Sequence, residues 1–218
     1  MSWPETVERG ELRWIFFDLG STLVDESECY RRRYAEIVEG TCLSSEAFER
    51  KAIEFAKQNR KGDRAAAQFY GLALPKWHTE LEQLYPGVEA VLSALTERGY
   101  RLGVIANQPP GARRRLENWG IAKSFDGVMA SAEEGVEKPD AEILRRALFA
   151  AGCRPERAVM VGDRLDNDIA PARRLGMRAV WVRQGPGRFA EPRCEAERAD
   201  AVISGIAELP RLLEREIL

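Results

Sequence analysis

Histidine is almost absent from this chain: His78 is the only one in 218 residues. Cysteine is scarce as well, and Cys29, Cys42, Cys153 and Cys194 are scattered with no CxxC pair among them. The two shortages together exclude a zinc site built from Cys and His, which needs such ligands at characteristic spacings. They fit free thiols in a reducing compartment better than a disulfide framework. No apolar stretch reaches the ~20 residues that span a bilayer, and Met1-Ser2-Trp3-Pro4-Glu5 lacks the basic and apolar regions of a signal peptide. The expected location is the cytoplasm. Charge of one sign is also lacking. The 33 Lys and Arg against 35 Asp and Glu leave a formal net charge of -2, so no global field draws in nucleic acid or an anionic membrane. Neither is an expected partner. Two local clusters, Arg31-Arg32-Arg33 and Arg113-Arg114-Arg115, are expected on the solvated faces of helices. The sequence carries no repeat, no low-complexity tract and no mark of an oligomeric state.

What is present is an alternation of strands and helices. Residues 1–12 read as a polar lead-in, and 13–17 as a buried strand, because the apolar run Trp14-Ile15-Phe16-Phe17 is continuous. From about Asp25 to Leu84 the chain is rich in Glu, Arg, Lys and Ala, with apolar residues at helical spacing and no strand pattern. Tyr85-Pro86-Gly87 ends that stretch. Helices are then expected at Val88–Arg98, Ala112–Trp119, Ala141–Ala151 and Ile169–Leu175, with a terminal helix last. Strands are expected at Arg101–Ala106, Gly127–Ala130, Ala158–Val161, Arg178–Val182 and Ala201–Ser204. Such an order implies an α/β fold, a doubly wound parallel sheet with a small inserted α-helical subdomain. The boundaries read as 1–22 and 86–218 for the core and 23–85 for the insertion.

In open parallel sheets, ligands bind beyond the carboxyl ends of the strands. Asp18, Asn107 and Asp163 each follow directly from an expected strand. Phosphoryl transfer to a carboxylate brings two anions together, so a metal ion and a fixed cation must cancel their repulsion. The chain offers each part. Asp18 is a candidate nucleophile, and the small-residue turn after it supplies main-chain amides and the Thr22 hydroxyl. Asp163 and Asp168, in the loop Gly162-Asp163-Arg164-Leu165-Asp166-Asn167-Asp168, are candidate ligands for a hard cation such as Mg²⁺. Lys138, in Glu137-Lys138-Pro139-Asp140, is a candidate fixed cation, and Asn107 a candidate donor to phosphate.

The order and spacing of four sites resemble the haloacid dehalogenase superfamily, a large group dominated by phosphatases. The sites are Asp18-Leu19-Gly20-Ser21-Thr22-Leu23, Ile105-Ala106-Asn107, Glu137-Lys138-Pro139-Asp140 and Val161-Gly162-Asp163 through Asp168, and together they span nearly the whole chain. The resemblance implies a Rossmann-like core with a helical cap that covers the site and chooses the substrate. It implies a covalent aspartyl intermediate on Asp18, with Mg²⁺ held by Asp18, the Gly20 carbonyl, Asp163 and, in or beside its shell, Asp168. Lys138 would neutralise Asp18 and the phosphate of a small phosphorylated substrate.

Two positions depart from the family pattern. Its phosphatases usually carry at the position of Gly20 an acid that protonates the leaving oxygen and later activates water, and loss of such a group typically costs about 10²–10⁴ in rate. They usually carry Ser or Thr where Ala106 stands. Activated phosphates, whose leaving groups depart without a proton, are therefore the expected good substrates. Asp25, Glu133 and Glu134 are the nearest replacement acids in sequence, although Asp25-Glu26-Ser27-Glu28 reads as a capping box for the first cap helix. A catalytically degenerate module that binds a phosphorylated ligand or a protein is the alternative reading. His78 is expected to be solvated or packed. Phe48, Phe55, Phe69, Tyr70 and Trp77 are expected in the core of the cap, one or two of them lining the substrate gap.

Overall fold

The computed structural model describes residues 12–214. The expected lead-in lies, for residues 1–11, outside them, as does the stretch read for a signal peptide. Eight strands are named: β1 (Trp14–Phe17), β2 (Val24–Asp25), β3 (Gln83–Leu84), β4 (Arg101–Ala106), β5 (Gly127–Ala130), β6 (Ala158–Gly162), β7 (Arg178–Val182) and β8 (Ala201–Ile203). The α-helices are α1 (Ser27–Val38), α2 (Ser45–Ala56), α3 (Gly62–Tyr70), α4 (Val88–Glu97), α5 (Ala112–Asn118), α6 (Ser131–Glu134), α7 (Ala141–Ala150), α8 (Ala170–Arg174) and α9 (Leu209–Glu214).

Six strands form one parallel sheet in the order β5-β4-β1-β6-β7-β8. From β1 the chain builds outward on one side through β4 and β5. It then crosses β1 and builds outward on the other through β6, β7 and β8. β1 is therefore the strand at which the order reverses, and a crevice opens beyond its carboxyl end. Asp18 is the first residue past that end.

The apolar run in β1 serves both faces of the sheet, because successive side chains point to opposite sides. Ile15 and Phe17 pack with Leu102, Val104, Val159, Val161 and the apolar faces of α4 and α9. Trp14 and Phe16 pack on the other face with Ile105, Met160 and the α7 residues Ile143, Leu144 and Leu148. Phe16 has room only because its neighbour on β4 is Gly103. A Cβ there would lie 2.6 Å from the Phe16 ring, closer than packed atoms approach.

Helices α1, α2 and α3 form a third, separate apolar cluster around Phe48, Tyr34, Ile37 and Ala66. Ser44 caps α2 by accepting from the Ala47 amide, and α3 ends at Gly71 in the left-handed region. Two details of this insertion differ from the sequence expectation. A short antiparallel pair, Val24↔Leu84 and Asp25↔Gln83, joins its two ends. Two residues per strand are too few for an alternation to register in sequence. The expected capping box is not formed either: Glu26 stands at the N-cap with no side-chain cap bond, and Asp25 accepts from the Ser27 amide instead. Among the five aromatics, Phe48 is fully buried, but Phe69 is 59% exposed at the far end of α3, edge-on to Phe55 and Tyr70.

The fit of Phe16 over Gly103 is testable. Gly103→Val overfills the sheet face and is expected to lower stability by about 1–3 kcal/mol, read from the midpoint of urea denaturation. An unchanged midpoint would contradict the packing described.

Candidate active site

The carboxyl ends of β1, β4 and β6, with the chain segment leading into α7, bring four distant groups together. Lys138 is completely enclosed, and its Nζ donates to Asp18 Oδ1 at 2.7 Å and to Asp168 Oδ1 at 2.6 Å. A carboxylate oxygen from each of Asp18, Asp163 and Asp168 lies within 4.8 Å of the others. Asp163 follows β6 directly. Asp168 is carried back toward the same point by one π-helical turn, Leu165–Ile169. Its second oxygen accepts from the Arg164 amide at 3.0 Å. Asp168 lies across Gly162, where a Cβ would meet its Cγ at 2.5 Å. The glycine that ends β6 is thus required by the acid six residues later in the strand-to-helix loop.

Asn107, one residue past β4, grips the backbone of Lys138 from both sides. Its Nδ2 donates to the Lys138 carbonyl at 2.7 Å, and its Oδ1 accepts from the Lys138 amide at 2.8 Å. Asn107 also lines the cavity, and its amide group keeps a second N–H for a ligand.

The charges do not balance. Burial pushes the Asp18 carboxyl up to about 6; Lys138 opposes that shift, Asp168 adds to it, and the Leu19 amide opposes it. Burial together with Asp168 and Asp18 holds Asp163 well above the usual carboxylate range, and among the described residues it takes part in no ion pair. Burial works against the charge on Lys138, but Asp168 and Asp18 outweigh it and the amine is shifted up. Three carboxyls thus share one ammonium. A second positive charge of oxygen-seeking character would complete the set, and these all-oxygen donors suit a hard divalent cation. The residues fit that group.

A cavity of about 480 Å³ opens from Asp18 and Asp163 toward the helical insertion. Its wall includes Glu26, Arg33, Trp77 and Arg115. Arg33 lies 4.4 Å over the Trp77 ring and donates to Asp63 at 2.6 Å and to the Pro75 carbonyl. Arg115 pairs with Glu82 at 3.0 Å, and Trp77 Nε1 donates to the same carboxylate. Glu26 accepts from Ser21 Oγ at 2.9 Å. Burial pushes its carboxyl up to about 8 against that hydrogen bond, with Glu82 and Asp18 adding to the rise.

The description "haloacid dehalogenase-like hydrolase" matches residues 12–176. The chain belongs to the haloacid dehalogenase-like hydrolases. It is 34% identical to a glyceraldehyde 3-phosphate phosphatase of Pyrococcus furiosus, over 94% of each chain. It is also 44% identical to a phosphoserine phosphatase of Thermus thermophilus, over 47% of this chain and 41% of that one. Among solved structures it resembles an HAD phosphatase from Thermococcus onnurineus, with a TM-score of 0.63, 25% identity and coverage of 93% of this chain and 98% of the other.

On this haloacid dehalogenase-like frame, Asp18, Lys138, Asp163 and Asp168 meet at one point, and Gly20 and Asn107 line the same cavity. Thr22 stands apart. It is fully buried, its hydroxyl has no hydrogen-bond partner among the described residues, and it is not part of the cavity wall. Ala106 is also fully buried, behind Asn107. The acids considered as replacements lie elsewhere: Asp25 turns to the Ser27 amide, Glu133 to the Gly111 amide and Glu134 to Arg146. None of them lines the cavity. His78 sits between Glu36 and Glu80, which raise its pKa.

Two arginines expected on solvated faces turn inward instead. Arg33 falls on the buried stripe of α1 with Cys29 and Ile37, a spacing of four that the sequence already contained. Arg115 is drawn in by buried Glu82, and no local pattern announces that.

The charge imbalance sets a pH dependence. The raised carboxyls bind protons more tightly when folded. Their contribution to stability is complete below the ordinary values of 3.8 and 4.5 and is lost as pH rises toward about 8. In chelator, the thermal midpoint is expected to fall from about pH 5 to about pH 8. A divalent cation should reverse the fall, and Asp163→Asn should reduce both effects. A midpoint indifferent to divalent cations would contradict this reading.

Proposed function

We propose that the protein is a Mg²⁺-dependent phosphatase acting on a small phosphorylated molecule through an aspartyl phosphate on Asp18. The observation that carries this reading is the Lys138 amine held at 2.7 Å from the Asp18 carboxylate beside two further buried acids. A binding module has no need to bury an ammonium beside a carboxylate that faces a cavity. Asp18, Asp163, Asp168 and the Gly20 carbonyl would hold Mg²⁺, which would supply charge neutralisation for the phosphoryl oxygens.

The chain's own residues do the rest. Lys138 keeps Asp18 ionised and directed, and stabilises the negative charge shared between the carboxylate and the entering phosphoryl group. Asn107 fixes the lysine by its backbone and offers its spare N–H to a phosphoryl oxygen. Attack by Asp18 forms the O–P bond and releases the alcohol. Water then attacks phosphorus, and the Asp18 carboxylate leaves as inorganic phosphate forms. Residues 23–85 act as the cap over this chemistry, with Arg33, Trp77 and Arg115 on the wall that meets the substrate. Relatives named for glyceraldehyde 3-phosphate and phosphoserine support a small organic phosphate as substrate.

The test is steady-state phosphate release from glyceraldehyde 3-phosphate, phosphoserine and 4-nitrophenyl phosphate. Asp18→Asn is expected to abolish turnover on all three, and chelation of the metal to do so reversibly. Turnover that survives Asp18→Asn would rule out the aspartyl route.

A further inference from the structure

The position where the family usually carries its acid is Gly20, yet the space beside Gly20 is filled. A Cβ built on Gly20 would lie 2.6 Å from Glu26 Oε1, 2.9 Å from its Cδ and 3.0 Å from its Oε2. The Glu26 carboxyl therefore stands where the first side-chain atom of residue 20 would be. An aspartate at 20 and the present Glu26 cannot both keep their places. The acid arrives from another part of the chain, six residues on, at the junction of β2 and α1.

We infer that Glu26 is the proton donor and acceptor of the phosphatase reaction, replacing the side chain that Gly20 lacks. The inference rests on the phosphatase reading above and deepens it. Three observations support it besides the overlap at Gly20. Glu26 lines the cavity together with Asp18 and Gly20. Its Oε2 is fixed by Ser21 Oγ at 2.9 Å, while Oε1, the atom nearest the missing Cβ, takes part in no hydrogen bond or ion pair among the described residues. Ser21 itself is held at φ 56, left-handed for a non-glycine residue, with its amide bonded to the Val24 carbonyl at 2.8 Å. Backbone strain of that kind persists where the surroundings fix it, and here it aims the hydroxyl at Glu26. The N-cap position of Glu26 also loses its usual use, because its side chain makes no cap bond to α1.

The chemistry balances. As Asp18 forms its bond to phosphorus and the P–O bond to the alcohol breaks, the leaving oxygen takes the proton of Glu26. The Glu26 carboxylate then takes a proton from the water that attacks phosphorus. Asp18 is released, and Glu26 regains its starting state. An alkyl phosphate, whose alkoxide cannot leave unprotonated, becomes a competent substrate. That reverses the preference for activated phosphates expected from Gly20 alone.

The test is a single-turnover measurement of alcohol release, which isolates the first step, with glycerol 3-phosphate and 4-nitrophenyl phosphate as paired probes. Glu26→Gln is expected to slow release from glycerol 3-phosphate by about 10²–10⁴. Release of 4-nitrophenol, which needs no proton, should slow by less than about tenfold. The double variant Gly20→Asp with Glu26→Ala puts an acid at the usual position and removes the obstruction. It is expected to recover the glycerol 3-phosphate rate, and it carries the test if Glu26→Gln does not fold. Equal slowing of both probes in Glu26→Gln would mark a purely structural role and overturn the assignment. So would an unchanged rate, or a folded double variant that shows no recovery. If the parent protein releases no 4-nitrophenol at all, the phosphatase reading itself falls. If the parent releases it and Glu26→Gln matches the parent on both probes, only the Glu26 assignment falls.

Discussion

Everything at this site depends on one ammonium buried between two carboxylates. Lys138 has no exposed side-chain surface, and its Nζ contacts Asp18 and Asp168 at 2.7 and 2.6 Å. A charge so placed is tolerated only when paired and hydrogen-bonded. The architecture around it reads as the means of keeping that pairing. Asn107 holds the lysine backbone at two points. Gly162 leaves room for Asp168, and the π-helical turn brings that acid back over the strand end. The parallel sheet contributes the common origin, since β1, β4 and β6 are neighbours that end together.

The same arrangement explains why the site is short of positive charge. One lysine faces three carboxyls, two of them buried, and Asp163 takes part in no ion pair among the described residues. That set of oxygen donors, short of positive charge, suits a hard divalent cation. The helical insertion adds a second kind of control. Its inward arginines, Arg33 and Arg115, are not free cations but are held by Asp63 and Glu82. The cavity wall is therefore polar and ordered before any ligand enters, which lowers the cost of organising it around one.

Much of this was legible in the sequence, and the reason is physical. A continuous apolar run of four or five residues is too short for a helix and suits a strand buried on both faces, and an acid directly after it then sits at the strand end. Trp14–Phe17 with Asp18, and Ala158–Gly162 with Asp163, are two cases of that rule. Lys138 followed by Pro139 was legible through its place in the family pattern rather than through periodicity. What was not legible depended on contacts between distant segments. β2 and β3 have two residues each, too few to carry a period. Glu26 looked like part of a capping sequence because Asp, Glu and Ser at a helix start usually satisfy free amides. In the fold its side chain turns back over Gly20. Arg33 and Arg115 sit in arginine triplets whose other members face solvent, so the inward turn of one residue in three was hidden by its neighbours.

The central claim is that the lysine-held carboxylate of Asp18 attacks phosphorus. Its most direct test is chemical trapping. The parent protein is mixed with Mg²⁺ and an organic phosphate labelled on phosphorus, quenched in acid within the first turnover, and digested for peptide mass analysis. The account predicts a hydroxylamine-labile phosphoryl group on the peptide that contains Asp18, absent from Asp18→Asn. Substrate consumed with no label on the protein, or a label on another residue, would contradict it.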